Sequence, residues 1–263
     1  MSDVAKPKND FIFFFDLDGT AVESSPTSKF SDATLQLLNE LNELIYCVPI
    51  TTRQYIPAMR VLETLPYGGY ASCASGGHIF NNKTEETFVF EKLDKVEVLQ
   101  LIADLQAQDF TFFVTFDMEV GWESKELDGL VDNIDSKIGA SFSVKAVDKS
   151  IKFFKDLDSK YKKLTFVESH SWDEGLADFH FLPKHVSKGF AIGQICEILN
   201  IDIADTIAIG DGLNDMSMRN ANHLVAMRSA VPELKKIADE VIGNFETGGF
   251  NEYLKSLIAR FSQ

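Results

Sequence analysis

Two aspartates one residue apart, Asp16 and Asp18, directly follow the apolar run FIFFF at residues 11–15 and precede Gly19. The run predicts a buried strand of a parallel sheet, with both carboxylates at its carboxyl end, where open α/β sheets bind ligands. Because buried carboxylates are costly unless paired or metal-bound, the pair indicates a cation. Mg²⁺ suits carboxylates that share the ion with a substrate phosphate. An Asp-Gly pair at a strand end also suits an ordinary turn.

Polar side chains also follow two other predicted buried strands, at residues 44–50 and 206–210. They are Thr51 after the first, and Asp211, Asn214 and Asp215 after the second. Because parallel strands end at one edge of a sheet, we expect these residues to meet the first pair of aspartates. Four carboxylates cannot all be ionised together without a cation, so the whole set predicts a divalent metal site more strongly than either pair does.

Lys188 begins a predicted helix that ends near residue 199. A lysine at a helix N-terminus and the hydroxyl of Thr51 both suit the oxygens of a phosphate group. Together with the predicted metal, they indicate a site that handles phosphate.

Apolar periodicity predicts the elements that position these residues. The core helices are expected near residues 31–42, 56–65 and 188–199 and after Pro232, and its strands at 11–15, 44–50, 206–210, 223–227 and 240–243, with a further candidate strand at 69–77. Between them lie expected helices at 93–105, 127–138 and 151–161, and expected strands at 110–116, 141–147, 163–168 and 178–182. A polar stretch at 81–86 predicts a loop.

The pattern predicts an α/β fold in which a doubly wound parallel-sheet core is interrupted by a smaller α+β unit. Strands of the inserted segment mix apolar and polar residues, which is typical of sheets with one exposed face. We place the core at residues 1–83 and 182–263 and the inserted unit at residues 84–181.

Composition restricts the possible partners. The chain has 263 residues, 45% of them hydrophobic, and a net charge of −15. That charge argues against nucleic acid or an anionic membrane as a partner. The three cysteines have no metal-like spacing and are expected to be reduced core residues, and no apolar run approaches the length of a membrane span. We therefore expect a cytoplasmic protein, monomeric or homodimeric, that binds a small phosphorylated molecule.

The motifs, taken in order, resemble those of a known family. DLDGT at 16–20, Thr51, Lys188 within SKG, and GDGLND at 210–215 resemble the four motifs of the haloacid dehalogenase superfamily of phosphohydrolases. The inserted unit is similar in position to the α/β cap of its sugar-phosphatase branch, which includes Cof-type, trehalose-phosphate and sucrose-phosphate phosphatases. The resemblance implies a Rossmann-like core and a cap that sets substrate specificity.

The resemblance also implies catalytic roles. Asp16 would be the nucleophile that forms an aspartyl-phosphate, and Asp18 the acid that protonates the leaving alcohol and then the base that activates water. Mg²⁺ would be held by Asp16, the backbone carbonyl of Asp18, and Asp211, with Asp215 binding directly or through water.

The same resemblance assigns the phosphate contacts. Thr51 and Lys188 would hold the transferring phosphoryl group, and Asn214 would orient it or Lys188. The chain departs from the family at Thr52, where a glycine is common, and at residues 75–77 (SGG), where Asn-Gly-Ala is frequent. Thr52 and Arg53 remain candidate contacts of the substrate phosphate.

Two other functions stay open. A phosphomutase would return the phosphoryl group to the sugar, but Thr51-Thr52-Arg53 differs from the glycine-rich segment of the mutase branch. A phosphate-sensing protein would keep the site without turnover, but it would have little use for Asp18.

Other polar residues are weaker candidates. His180, His185 and the polar segment 168–178 could contact a substrate, although structural histidines and a solvated hairpin turn are common alternatives.

Overall fold

The fold is taken from a computed structural model, which describes residues 6–108, 111–116, 122–123, 134–147, 151–170 and 174–263. Its strands, in chain order, are β1 (Ile12–Phe15), β2 (Tyr46–Pro49), β3 (Tyr70–Cys73), β4 (His78–Asn81), β5 (Thr87–Phe90), β6 (Phe112–Phe116), β7 (Trp122–Glu123), β8 (Phe142–Val147), β9 (Leu164–His170), β10 (Leu176–Pro183), β11 (Thr206–Gly210), β12 (His223–Met227) and β13 (Glu240–Ile242).

Its α-helices are α1 (Asp32–Asn42), α2 (Tyr55–Leu62), α3 (Lys95–Gln106), α4 (Ile134–Lys137), α5 (Ile151–Asp158), α6 (Lys188–Leu199), α7 (Pro232–Ile237) and α8 (Gly249–Phe261). Short 3₁₀ helices lie at Ala74–Gly76, Ile203–Asp205, Leu213–Asn220 and Phe245–Thr247. None of the helices in these described ranges combines the length and apolar character needed to cross a bilayer.

The parallel sheet confirms the predicted core. Its order is β13-β12-β11-β1-β2, so β1 lies between β11 and β2. Every residue of β1 is buried, as expected for a strand covered on both faces. Phe15, the last residue of β1, lies beside Ile209 on one side and Pro49 on the other. The segments that follow these three strands therefore begin at one edge.

A second, antiparallel sheet of order β3-β4-β5 differs from the sequence prediction. The prediction of a strand at 69–77 was wrong beyond Cys73. There Ala74 and Ser75 have φ values of 49° and 53° and turn the chain into a 3₁₀ helix. The strands β4 and β5 were not predicted, and the polar stretch at 81–86 spans the end of β4 and the turn between them. The boundary proposed between residues 83 and 84 falls in that turn.

A third sheet, which we call the cap sheet, is antiparallel with order β7-β6-β8-β10-β9. Buried and partly exposed residues alternate along β8, so one face packs on apolar side chains of α3, α4 and α5. These side chains form a hydrophobic cluster distinct from the cluster around the parallel sheet. The fold class is confirmed, while residues 127–133 of the helix expected at 127–138 lie outside the described part.

Local chemistry explains how α6 starts and ends. Ser187 caps its N-terminus by accepting a hydrogen bond from the backbone N–H of Phe190, a common use of serine at this position. Asn200 ends the helix in the left-handed conformation.

Cys47, Cys73 and Cys196 are free and buried, as predicted.

We expect Gly76→Ala to lower the free energy of unfolding by at least about 2 kcal/mol. Gly76 has a φ of +111°, and an added Cβ would lie 2.3 Å from the backbone oxygen of Ser187. Denaturation in urea measures the loss. The matched control is Gly193→Ala, which adds a methyl group in open space within α6 and should stabilise the helix by about 0.5–1 kcal/mol. Equal stabilities of the two variants would contradict the expectation.

Candidate active site

Lys188 lies at the centre of the site. Its Nζ is 2.5 Å from Oδ1 of Asp16 and 2.5 Å from Oδ1 of Asp215. The side chain of Lys188 is fully buried, as is that of Asp215, and Asp16 is 4% exposed. One ammonium therefore connects the end of β1, the start of α6 and the 3₁₀ helix that follows β11.

The other carboxylate oxygen of Asp215 is held by the backbone. Its Oδ2 accepts hydrogen bonds from the N–H groups of Asp211 at 2.9 Å and Gly212 at 2.8 Å. The approach requires Gly210, where a Cβ would lie 2.4 Å from Cγ of Asp215. Asp215 is therefore fixed at both oxygens.

Asp211 is positioned by the segment after β1. Thr20 donates its hydroxyl to Oδ1 of Asp211 at 3.0 Å. Gly19, with a φ of +80°, passes so close that a Cβ there would lie 2.5 Å from Oδ2 of Asp211. Sequence reasoning did not identify Thr20 as a site residue, although it follows the two aspartates and the glycine directly.

The arrangement can hold a divalent cation. Asp16, Asp211 and Asp215 each offer a carboxylate oxygen, and these oxygens lie within 4.8 Å of one another. Three carboxyl groups surround a single lysine, so their full ionisation would leave the cluster with excess negative charge. Hard oxygen donors of this kind suit Mg²⁺ or Ca²⁺.

Burial and the neighbouring charges shift the pKa values of the cluster. Burial raises the pKa of Asp16 well above its usual range, although Lys188 opposes the shift. Burial, and then the charge of Asp215, raises the pKa of Asp211 to about 7. Burial alone would lower the pKa of Lys188, but Asp16 and Asp215 raise it instead. A bound cation would favour the ionised form of these carboxyl groups and so lower their pKa values.

Asp18 points to a different partner. Its carboxylate accepts two hydrogen bonds from Arg53, from Nε at 2.7 Å and from Nη2 at 2.5 Å. Arg53 is buried and also donates to the backbone oxygen of Ser25 and the hydroxyl of Ser28. The sequence did not predict this bidentate ion pair between Arg53 and Asp18. The guanidinium of Arg53 binds Asp18. Direct contact of Arg53 with a substrate remains a prediction.

The remaining predicted residues lie beside this pair. Thr51 accepts a hydrogen bond from the backbone N–H of Arg53 at 3.1 Å. Asn214 donates its side-chain amide to the hydroxyl of Thr52 at 2.7 Å. Thr52 thus holds Asn214, which was expected to orient the phosphoryl group or Lys188.

A cavity of about 720 Å³ opens over these groups. Its floor includes Asp16, Asp18, Thr51, Thr52, Arg53, Asp211 and Asn214, and its opposite wall is the polar face of the cap sheet. Its size suits a small molecule. His180 lines the cavity, whereas His185 lies outside the lining and pairs with Glu91.

Known proteins resemble this chain in sequence and in fold. A family model described as haloacid dehalogenase-like hydrolase matches residues 13–254. The Bacillus subtilis 5-amino-6-(5-phospho-D-ribitylamino)uracil phosphatase YcsE is 24% identical over 236 residues, which cover 89% of this chain and 90% of that protein.

Solved structures share the fold. BT1666 from Bacteroides thetaiotaomicron, described among phosphatases of the same superfamily, superposes with a TM-score of 0.77 at 16% identity, covering 98% of this chain and 99% of its own. The subclass IIB sugar phosphatase BT4131 gives a TM-score of 0.70 at 19% identity, covering 94% of this chain and 98% of its own.

We expect Lys188→Met to lower the free energy of unfolding by about 3–5 kcal/mol near pH 8, because it leaves buried carboxylates without their cation. The loss should shrink near pH 5, because burial raises the pKa of Asp16 and a protonated Asp16 no longer needs the lysine. Urea denaturation at the two pH values measures it. The control Lys184→Met alters an exposed lysine and should change stability little. A Lys188→Met protein as stable as the parent would show that the buried contacts are not needed.

Proposed function

This chain belongs to the haloacid dehalogenase-like hydrolase family and is a phosphoric monoester hydrolase, and on that premise we propose that it hydrolyses a sugar phosphate with Mg²⁺ through an aspartyl-phosphate intermediate. The observation that carries the proposal is the meeting of Asp16, Asp211, Asp215 and Lys188 in one cluster, of which Asp16 and Asp211 line the cavity.

Asp16 is the proposed nucleophile. It lines the cavity at the end of a central strand, and Lys188 holds its Oδ1. A carboxylate oxygen of Asp16 forms a bond to phosphorus as the bond to the leaving oxygen breaks, and water later hydrolyses the acyl phosphate. A covalent intermediate divides one difficult displacement into two easier ones.

Asp18 is the proposed acid and base. Its side chain is 24% exposed and lines the same cavity two residues after Asp16. In the first step its protonated form gives a proton to the leaving alcohol, and in the second its carboxylate takes one from water. Arg53 orients the carboxyl group of Asp18 through two hydrogen bonds.

The proposed Mg²⁺ ligands are Asp16, Asp211, Asp215 and the backbone carbonyl of Asp18. When bound, the ion neutralises charge on the transferring phosphoryl group. Lys188 and Thr51 are the proposed phosphate-binding side chains from the core. Thr52 and Asn214, which bind each other, provide the adjoining polar wall.

A sugar phosphate is supported by the cavity and the comparisons. The cavity is large enough for a sugar, and hydroxyl groups line both its walls. The name of YcsE describes a substrate with a phosphorylated ribityl chain, and BT4131 is described as a sugar phosphatase.

Asp16→Asn and Asp18→Asn are expected to lower kcat by about 100-fold or more, because each removes a group that forms or breaks a bond. Phosphate release from a panel of sugar phosphates and an aryl phosphate, with Mg²⁺ and with EDTA, measures the effect. Asp156→Asn, an exposed change on α5, is the matched control. Isomerised sugar phosphate without phosphate release would indicate a mutase, and binding without turnover would indicate a sensor.

Mg²⁺ should raise the melting temperature more at pH 8 than at pH 5.5. Protons and Mg²⁺ compete for the Asp211 carboxylate, whose pKa is raised to about 7. At pH 5.5 removing that proton costs about 2 kcal/mol of binding free energy, and at pH 8 almost nothing. Thermal denaturation with and without Mg²⁺ tests this. Asp211→Asn should abolish most of the shift at both pH values, and an equal Mg²⁺ effect at both in the parent protein would contradict the assigned ligand.

A further inference from the structure

The face of the cap sheet that lines the cavity is polar. Alternation along β8 and β10 directs Val144 and Phe179 into the apolar cluster, and directs Ser143, Lys145, Asp178 and His180 to the cavity. Ser143 lies directly opposite His180 in the β8–β10 pairing, and Asp178 lies opposite Lys145 and Ser169. The polar side chains that face the core site therefore form a row that spans three strands, with Leu176 beside it in the cavity lining.

His180 connects two serines of this row. Its Nδ1 lies 2.7 Å from the hydroxyl of Ser143, and its Nε2 lies 2.8 Å from the hydroxyl of Ser169. Burial, and then the charge of Lys145, lowers the pKa of His180 to about 4. The imidazole is therefore neutral at physiological pH, with one nitrogen that donates and one that accepts.

A neutral imidazole gives the two serines opposite roles. The serine that accepts from the ring N–H keeps its own hydroxyl hydrogen for donation. The serine that donates to the other nitrogen keeps its lone pairs for acceptance. Ser143 and Ser169 both line the cavity, so together they offer one donor and one acceptor. This pair matches two neighbouring hydroxyl groups, each of which can donate and accept.

The charged side chains on the cap side of the cavity disfavour substrates with an anionic group at that end. Lys145 is balanced by Asp178, whose Oδ1 lies 3.9 Å from the lysine Nζ. Glu168 adds a second carboxylate to the lining. With His180 neutral, the described charges on the cap side of the cavity sum to −1. A substrate with an anionic group at its far end would meet repulsion there.

We propose that Ser143, His180 and Ser169 bind neighbouring hydroxyl groups of an uncharged polyol leaving group, and that Asp178 and Glu168 disfavour substrates with a second anionic group. The inference rests on the proposed phosphatase function and specifies its substrate class. The core side of the cavity performs the chemistry, and this row discriminates among alcohols.

The hydroxyl contacts are tested with Ser143→Ala and Ser169→Ala. For each variant, the ratio of kcat/KM on glycerol 3-phosphate to kcat/KM on para-nitrophenyl phosphate should fall about 3- to 10-fold, as expected for one lost hydrogen bond. The aryl ester has no neighbouring hydroxyls. Ser159→Ala, an exposed change on the cap outside the cavity lining, should leave the ratio unchanged. Equal losses on both esters would indicate a purely structural role and overturn the inference.

The charge selection is tested with a matched pair of substrates. Glycerol 3-phosphate and 3-phosphoglycerate have the same carbon chain. At the end distant from the phosphate, the former carries a hydroxymethyl group and the latter a carboxylate. The parent protein should prefer the former, and Asp178→Asn should reduce that preference about threefold or more, whereas the exposed Asp156→Asn should not. A parent that prefers 3-phosphoglycerate would overturn this inference and leave the phosphatase intact. A lack of turnover on every ester, the aryl phosphate included, would overturn both.

Discussion

The buried ammonium of Lys188, between Asp16 and Asp215, is the contact on which the site depends. Three segments that are distant in the chain reach one point, and none could bring its charge there alone, because an isolated buried ion is far too costly. Asp211 adds a third carboxylate within reach of the same oxygens. One lysine cannot balance three carboxylates, so the architecture that stabilises the core also leaves a place for a divalent cation.

The two walls of the cavity are built by different physical means. The floor consists of strand ends, where backbone N–H groups and close glycine contacts fix Asp211 and Asp215. The roof is one face of an antiparallel sheet whose other face encloses a hydrophobic cluster of its own. The polar side chains of this face are therefore separate both from the cap's apolar packing and from the carboxylates of the floor.

Much of the fold and of the site could be predicted from the sequence. Apolar runs gave the buried strands, and the topology of parallel sheets placed Asp16, Thr51 and Asp211 at one edge. The hairpin of β4 and β5 was missed, because its start depends on positive φ values at Ala74 and Ser75, which residue types other than glycine rarely signal.

The order of residues was enough to predict which strands are buried and at which edge of the sheet the carboxylates gather, since both follow from periodicity and from parallel-sheet topology. The side-chain partners became apparent from the packing alone: Arg53 with Asp18, Thr52 with Asn214, and His180 with two serines from other strands. Periodicity fixes the face on which a side chain lies, but the partner it meets depends on how elements distant in the chain are packed together.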